Sequence, residues 1–78
     1  MDYQRIYQKI IQKARLENRI KHKGVYYEKH HIIPRSLGGD DTDSNLVLLT
    51  AKEHFVCHHL LIKMTTGTDR SKMVHAFW

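Results

Sequence analysis

Seventy-eight residues leave room for one domain and one small core, and chains of this size are marginal unless something staples them. The single cysteine, Cys57, excludes an internal disulfide and any paired-cysteine zinc site, so a metal staple would have to come from the seven histidines. Thirteen Lys and Arg against eight Asp and Glu give a formal charge of +5, a balance that favours a polyanionic partner. No apolar run exceeds about six residues, so neither a secretory leader nor a membrane span is expected, and the lone thiol fits a cytoplasmic protein.

The first element in chain order is a helix. Asp2 can cap it, and Tyr3, Ile6, Tyr7, Ile10, Ile11 and Ala14 repeat at helical spacing to make one apolar face, which carries the prediction to about Arg19. The opposite face, Gln4, Arg5, Gln8, Lys9, Gln12, Lys13 and Arg15, is polar, as a solvated surface is. A basic turn follows at residues 21–24, holding Lys21 and Lys23. Residues 25–33 are rich in β-branched and aromatic side chains and stop at Pro34, which predicts a strand. Residues 35–44 contain Gly38, Gly39 and three aspartates and are expected to form a loop. Leu46 to Leu49 is a short apolar strand, expected to pair antiparallel with the first.

Thr50-Ala-Lys-Glu53 has the form of a capping box, and the helix it opens runs to about Met64, with Gly67 available to end it. Thr68 or Asp69 can cap a further helix through 71–78. That element stops on the apolar Trp78, which points to a truncated chain or a homodimer contact. The expected class is α+β, a single domain over residues 1–78, in the order helix, strand, loop, strand, helix, partial helix.

The chemistry-bearing residues concentrate around the hairpin and the capped helix. At about 100° per residue, His54 and His58 lie one turn apart on one face. Val56, Cys57, Leu60, Leu61 and Met64 make the core stripe, while Lys52, His59 and Lys63 face water. An i, i+4 histidine pair can bring two imidazole nitrogens to one ion. The adjacent pair His30 and His31 ends the first strand, where a bend at Pro34 would let both serve one site. One ring would then complete a three-histidine centre, and the other would remain metal-free as a general base near neutral pH. Asn45 opens the second strand, and its amide can lock the loop or hold a neighbouring histidine. Asp41-Thr-Asp43-Ser-Asn45 begins like a calcium loop, but Leu46 stands where glycine is required and Lys52 where glutamate is, so a calcium site is rejected.

Glu28-Lys-His-His-Ile-Ile-Pro-Arg35, then Gly38–Gly39, Asn45-Leu-Val-Leu-Leu49 and His54-x3-His58, resemble together the HNH endonuclease family, closest to its small phage and homing members. The resemblance covers a motif core of residues 26–64. It implies a ββα-metal fold, a hairpin and a helix around one divalent ion, in the cytoplasm of a bacterial or phage-infected cell. It further implies His31 as general base, His30, His54 and His58 as metal ligands, Asn45 as the middle residue of the motif, and Arg35 near the scissile phosphate. The expected activity is metal-dependent hydrolysis of phosphodiester bonds in DNA. An all-histidine site suits Zn²⁺, Ni²⁺ or Mn²⁺ better than Mg²⁺, although related sites are used with Mg²⁺ or Mn²⁺. Lys21, Lys23 and Arg35 are the expected contacts to the DNA backbone. The alternative expectation is a non-catalytic histidine-metal module that grips DNA without cutting it, for which a fourth, metal-free imidazole would have no use.

Overall fold

The computed structural model describes residues 1–65. The expected terminal helix at 71–78, its caps Thr68 and Asp69, and Gly67 lie outside the described residues. Within them the order is a first helix α1 (Tyr3–Leu16), strand β1 (Glu28–His31), strand β2 (Leu46–Leu49) and a second helix α2 (Ala51–Met64). The two strands form an antiparallel sheet, so the class is α+β, with a β-hairpin leading into α2. None of the described helices is long and apolar enough to cross a membrane.

Asp2 caps α1 by accepting from the Arg5 amide at 3.0 Å. The helix ends at Leu16, three residues before the expected limit of Arg19, because Asn18 takes a left-handed φ of 49°. Asparagine tolerates that conformation, and the helix cannot continue through it. The turn frees Arg19 for a different task. Its guanidinium is bidentate to the Glu53 carboxylate, donates to the Leu48 carbonyl, and is 5 % exposed. Glu53 also closes the capping box of α2, accepting from the Thr50 amide while Thr50 Oγ1 accepts from Glu53 N. The Arg19 guanidinium, as its first cause, holds the Glu53 carboxyl down at about 2. Removing one partner of a largely buried pair strands the other charge and costs about 3–5 kcal/mol, so this bond fastens the end of α1 to the start of α2.

β1 covers four residues rather than the expected 25–33. β2 offers only Leu46–Leu49 as partners, in the register Glu28↔Leu49 to His31↔Leu46, and residues 25–27 run past its end. At the other end Ile32 still donates to the Asn45 carbonyl at 2.8 Å before Pro34 stops the strand. The loop at 35–44, expected to be irregular, contains a short 3-10 turn at Arg35–Leu37, and a second at Asp43–Asn45 feeds β2.

The core is the packed set Tyr7, Ile11, Ala14, Val47, Leu49, Cys57, Leu60 and Leu61, drawn from α1, β2 and α2. Both helix faces are those expected from the periodicity: Tyr7, Ile11 and Ala14 are buried on α1, and Cys57, Leu60 and Leu61 on α2. Burial pushes the Cys57 thiol up to about 11, so it is an inert core residue and no thiolate ligand.

Candidate metal centre and general base

Strand alternation decides which hairpin residues face the helices. Glu28 and His30 lie opposite Leu49 and Val47, and His30 is 3 % exposed. His54 and His58, one turn apart on α2, meet it there. Ring centroids are 5.1 Å apart for His30 and His54, 5.8 Å for His30 and His58, and 4.1 Å for His54 and His58. One nitrogen from each ring lies within 4.8 Å of the other two, a grouping able to share an ion. The trio expected from sequence is therefore one cluster in space.

Its electrostatics suit a cation. Burial, then the neighbouring imidazoles, push His30 down to about 3 and His58 to about 4. Both rings are neutral at pH 7 and keep a lone pair, as a metal ligand must. His54 Nδ1 lies 2.7 Å from Glu28 Oε1. The Glu28 carboxyl is held below its ordinary value by hydrogen bonds from Tyr26 and His54, so it accepts from Nδ1–H. With Nδ1 so engaged, Nε2 is the His54 nitrogen left to offer a lone pair. A carboxylate behind a ligating histidine fixes its tautomer and orientation. On the other side, the Tyr7 hydroxyl of α1 lies 2.7 Å from His30 Nε2 and donates to the Ile32 carbonyl, also at 2.7 Å.

His31 follows His30 on the chain but stays outside the trio, with 27 % of its side chain exposed. Its Nε2 sits 2.7 Å from Asp41 Oδ1. Asp41 also accepts from Arg35 Nε at 3.1 Å and from Arg35 Nη2, and both neighbours, His31 first, hold its carboxyl below the usual range. His31, Asp41 and Arg35 thus form a partly exposed chain beside the histidine cluster. Arg35 is mostly exposed.

Asn45, 8 % exposed, takes the first of the two roles open to it. Its Oδ1 accepts from Ile33 N at 2.8 Å, while Nδ2 donates to the carbonyls of Ile33 and Asp40. It pins both ends of the loop that carries Arg35 and Asp41. Gly39 is forced by the same crowding, since a Cβ there would stand 1.7 Å from the Ile33 carbonyl oxygen. Lys21 and Lys23 are exposed, and Lys21 lines a shallow basic groove with Arg15, Arg19 and Lys29 at the outer edge of β2.

Three side chains in this arrangement are given no role at the site by the sequence-based expectations. Tyr7 reads as one more residue of an apolar face, although a buried hydroxyl demands a polar partner and that demand was the available signal. Glu28 stands two residues before His30, the spacing that puts both on one face of a strand. Asp41 carries no such signal, because its meeting with His31 depends on the path of the loop.

A match to the HNH endonuclease family spans residues 18–61, more than half of the chain and every residue of the trio. The chain belongs to the HNH endonuclease family.

This HNH domain is 44 % identical over its whole length to "Probable mobile endonuclease D" of Enterobacteria phage T4 and covers 30 % of that protein. It is 45 % identical, again over its whole length, to "Probable mobile endonuclease C" of the same phage, covering 35 % of it. With "Probable mobile endonuclease E" it shares 47 % identity over 82 % of the chain and 43 % of the relative. The chain thus spans about a third of the length of the first two of these relatives. No solved structure gives a significant match.

Proposed function

We propose that this HNH domain is a metal-dependent endonuclease that hydrolyses phosphodiester bonds in DNA, with His31 as general base. The observation that carries the reading is the convergence of three histidines, two of them held neutral by burial, next to a fourth imidazole tied to a carboxylate. The donor set fits a divalent ion, and with nitrogen donors throughout it favours Zn²⁺, Ni²⁺ or Mn²⁺ over Mg²⁺. His30, His54 and His58 are the residues that would hold the ion. When bound, it supplies Lewis-acid stabilisation of the negative charge that builds on the phosphate and the leaving oxygen.

The remaining roles belong to the chain. Asp41 accepts from His31 Nε2–H, which leaves Nδ1 as the nitrogen able to take a proton from the attacking water. The same logic orients a catalytic imidazole with a carboxylate in unrelated hydrolases. The water oxygen bonds to phosphorus as the bond from phosphorus to the 3′ oxygen breaks, giving 5′-phosphate and 3′-hydroxyl ends. Arg35, already aimed at an anion by Asp41, offers a planar set of donors to a phosphate oxygen. Lys21 and Lys23 add sequence-independent contacts to the DNA backbone.

The test is cleavage of supercoiled plasmid by the purified chain, scanned across Mg²⁺, Mn²⁺, Ni²⁺ and Zn²⁺ and repeated with chelator. Nicked or linear product is expected with at least one ion and none with chelator. Undiminished cleavage in chelator would overturn the metal dependence. DNA binding without cleavage by any ion-loaded sample would leave only a binding module.

A further inference from the structure

The His30 ring is gripped from outside the ββα unit. Tyr7, on α1 and 23 residues away in sequence, brings its hydroxyl to 2.7 Å from both His30 Nε2 and the Ile32 carbonyl oxygen. A phenol has one proton to give. A carbonyl oxygen can only accept, so that proton goes to Ile32 and the phenolic oxygen must accept from His30. His30 is therefore an Nε2–H donor, and the lone pair it has left to offer lies on Nδ1.

We infer that Tyr7 is the positioning residue of the metal centre: it selects the His30 tautomer whose free nitrogen is Nδ1 and holds that ring against the ion. The inference rests on the reading of His30, His54 and His58 as metal ligands. Tyr7 does for His30 what Glu28 does for His54, so each of these two rings has its outer nitrogen tied by a different element, α1 in one case and β1 in the other. Partners of this kind fix the orientation of a ligand, and their loss weakens metal binding. The geometry also gives α1 a purpose besides covering the core, because it supplies the hydroxyl that pairs with both the Ile32 carbonyl and the buried His30 ring.

Tyr7→Phe keeps the ring that packs in the core and deletes only the hydroxyl. Two readouts separate positioning from mere support. In long-range ¹H–¹⁵N spectra of the metal-free chain, wild-type His30 is expected to be the Nε2–H tautomer and the variant a mixture. In Zn²⁺ titrations against a competing chelator, the variant is expected to bind about 10–100-fold more weakly. Ile11→Val, which trims the same buried face without touching a polar atom, is expected to bind like wild type. Unchanged Zn²⁺ affinity in Tyr7→Phe, an Nδ1–H His30 in the wild type, or an equal loss in Ile11→Val would each overturn the assignment. Wild-type chain that binds no Zn²⁺ would sink the metal centre itself and this inference with it, whereas tight wild-type binding with an unaffected Tyr7→Phe sinks only the role of Tyr7.

Discussion

Replacing His31 with alanine is expected to lower the rate of DNA cleavage by about 10²–10⁴-fold, the range a positioned general base contributes, while leaving metal affinity nearly intact. The expectation follows from two placements. His31 is outside the trio whose nitrogens converge, so its loss leaves the proposed ligand set in place. It is also the ring in the hydrogen-bonded chain with Asp41 and Arg35, so its loss removes an imidazole held by a carboxylate outside the trio. Single-turnover cleavage and a Zn²⁺ titration on the same preparation check both halves. A large drop in metal affinity would mean that His31 is a ligand and that one of the other three is not. Cleavage at the wild-type rate would remove it from the chemistry altogether.

The second large effect is on stability. An ion that binds the folded chain and not the unfolded one stabilises by about 2.7 kcal/mol at a hundred times its Kd. For a domain of this size each kcal/mol moves the melting temperature by about 4–8 °C, so loading is expected to raise Tm by about 10–20 °C. His54→Ala and His58→Ala should each abolish most of that rise, and chelator should bring the wild type down to the variants. The metal-free chain keeps its core of Tyr7, Ile11, Leu49, Cys57 and their neighbours, along with the bond from Arg19 to Glu53. It should therefore melt lower but still cooperatively. Scanning calorimetry with and without Zn²⁺ decides this. A Tm indifferent to both chelator and substitution would mean that the three histidines hold no ion.

Much of the candidate site is legible in the sequence because its signals are local. The i, i+4 spacing of His54 and His58, the capping box that starts their helix, and the strand ending on His30 and His31 each depend on neighbours in sequence. The apolar stripes of both helices are equally local, and they point inward as periodicity requires. What escaped was long-range or conformational. Asn18 reverses the chain by taking a left-handed backbone, and only the ion pair it permits, Arg19 with Glu53 34 residues on, shows why the helix should stop there. The length of β1 is set by its partner rather than by its own β-branched residues, so no reading of residues 25–33 alone could shorten it. The pairing of Asp41 with His31 needs a loop held at both ends by Asn45, and the bond from Tyr7 to His30 needs α1 laid across the hairpin. Those two contacts turn a cluster of histidines into a candidate site with oriented rings.

The measurement that bears most directly on the account is X-ray absorption at the metal edge of the Zn²⁺-loaded wild-type chain. Three imidazole nitrogens at about 2.0–2.1 Å, with the remaining position filled by a light solvent atom, are the expected first shell. Four imidazoles would draw His31 into the centre and take away the base, fewer than three would break up the trio, and a sulfur scatterer at about 2.3 Å would mean that the Cys57 core had opened to the metal; any of the three would contradict the site described.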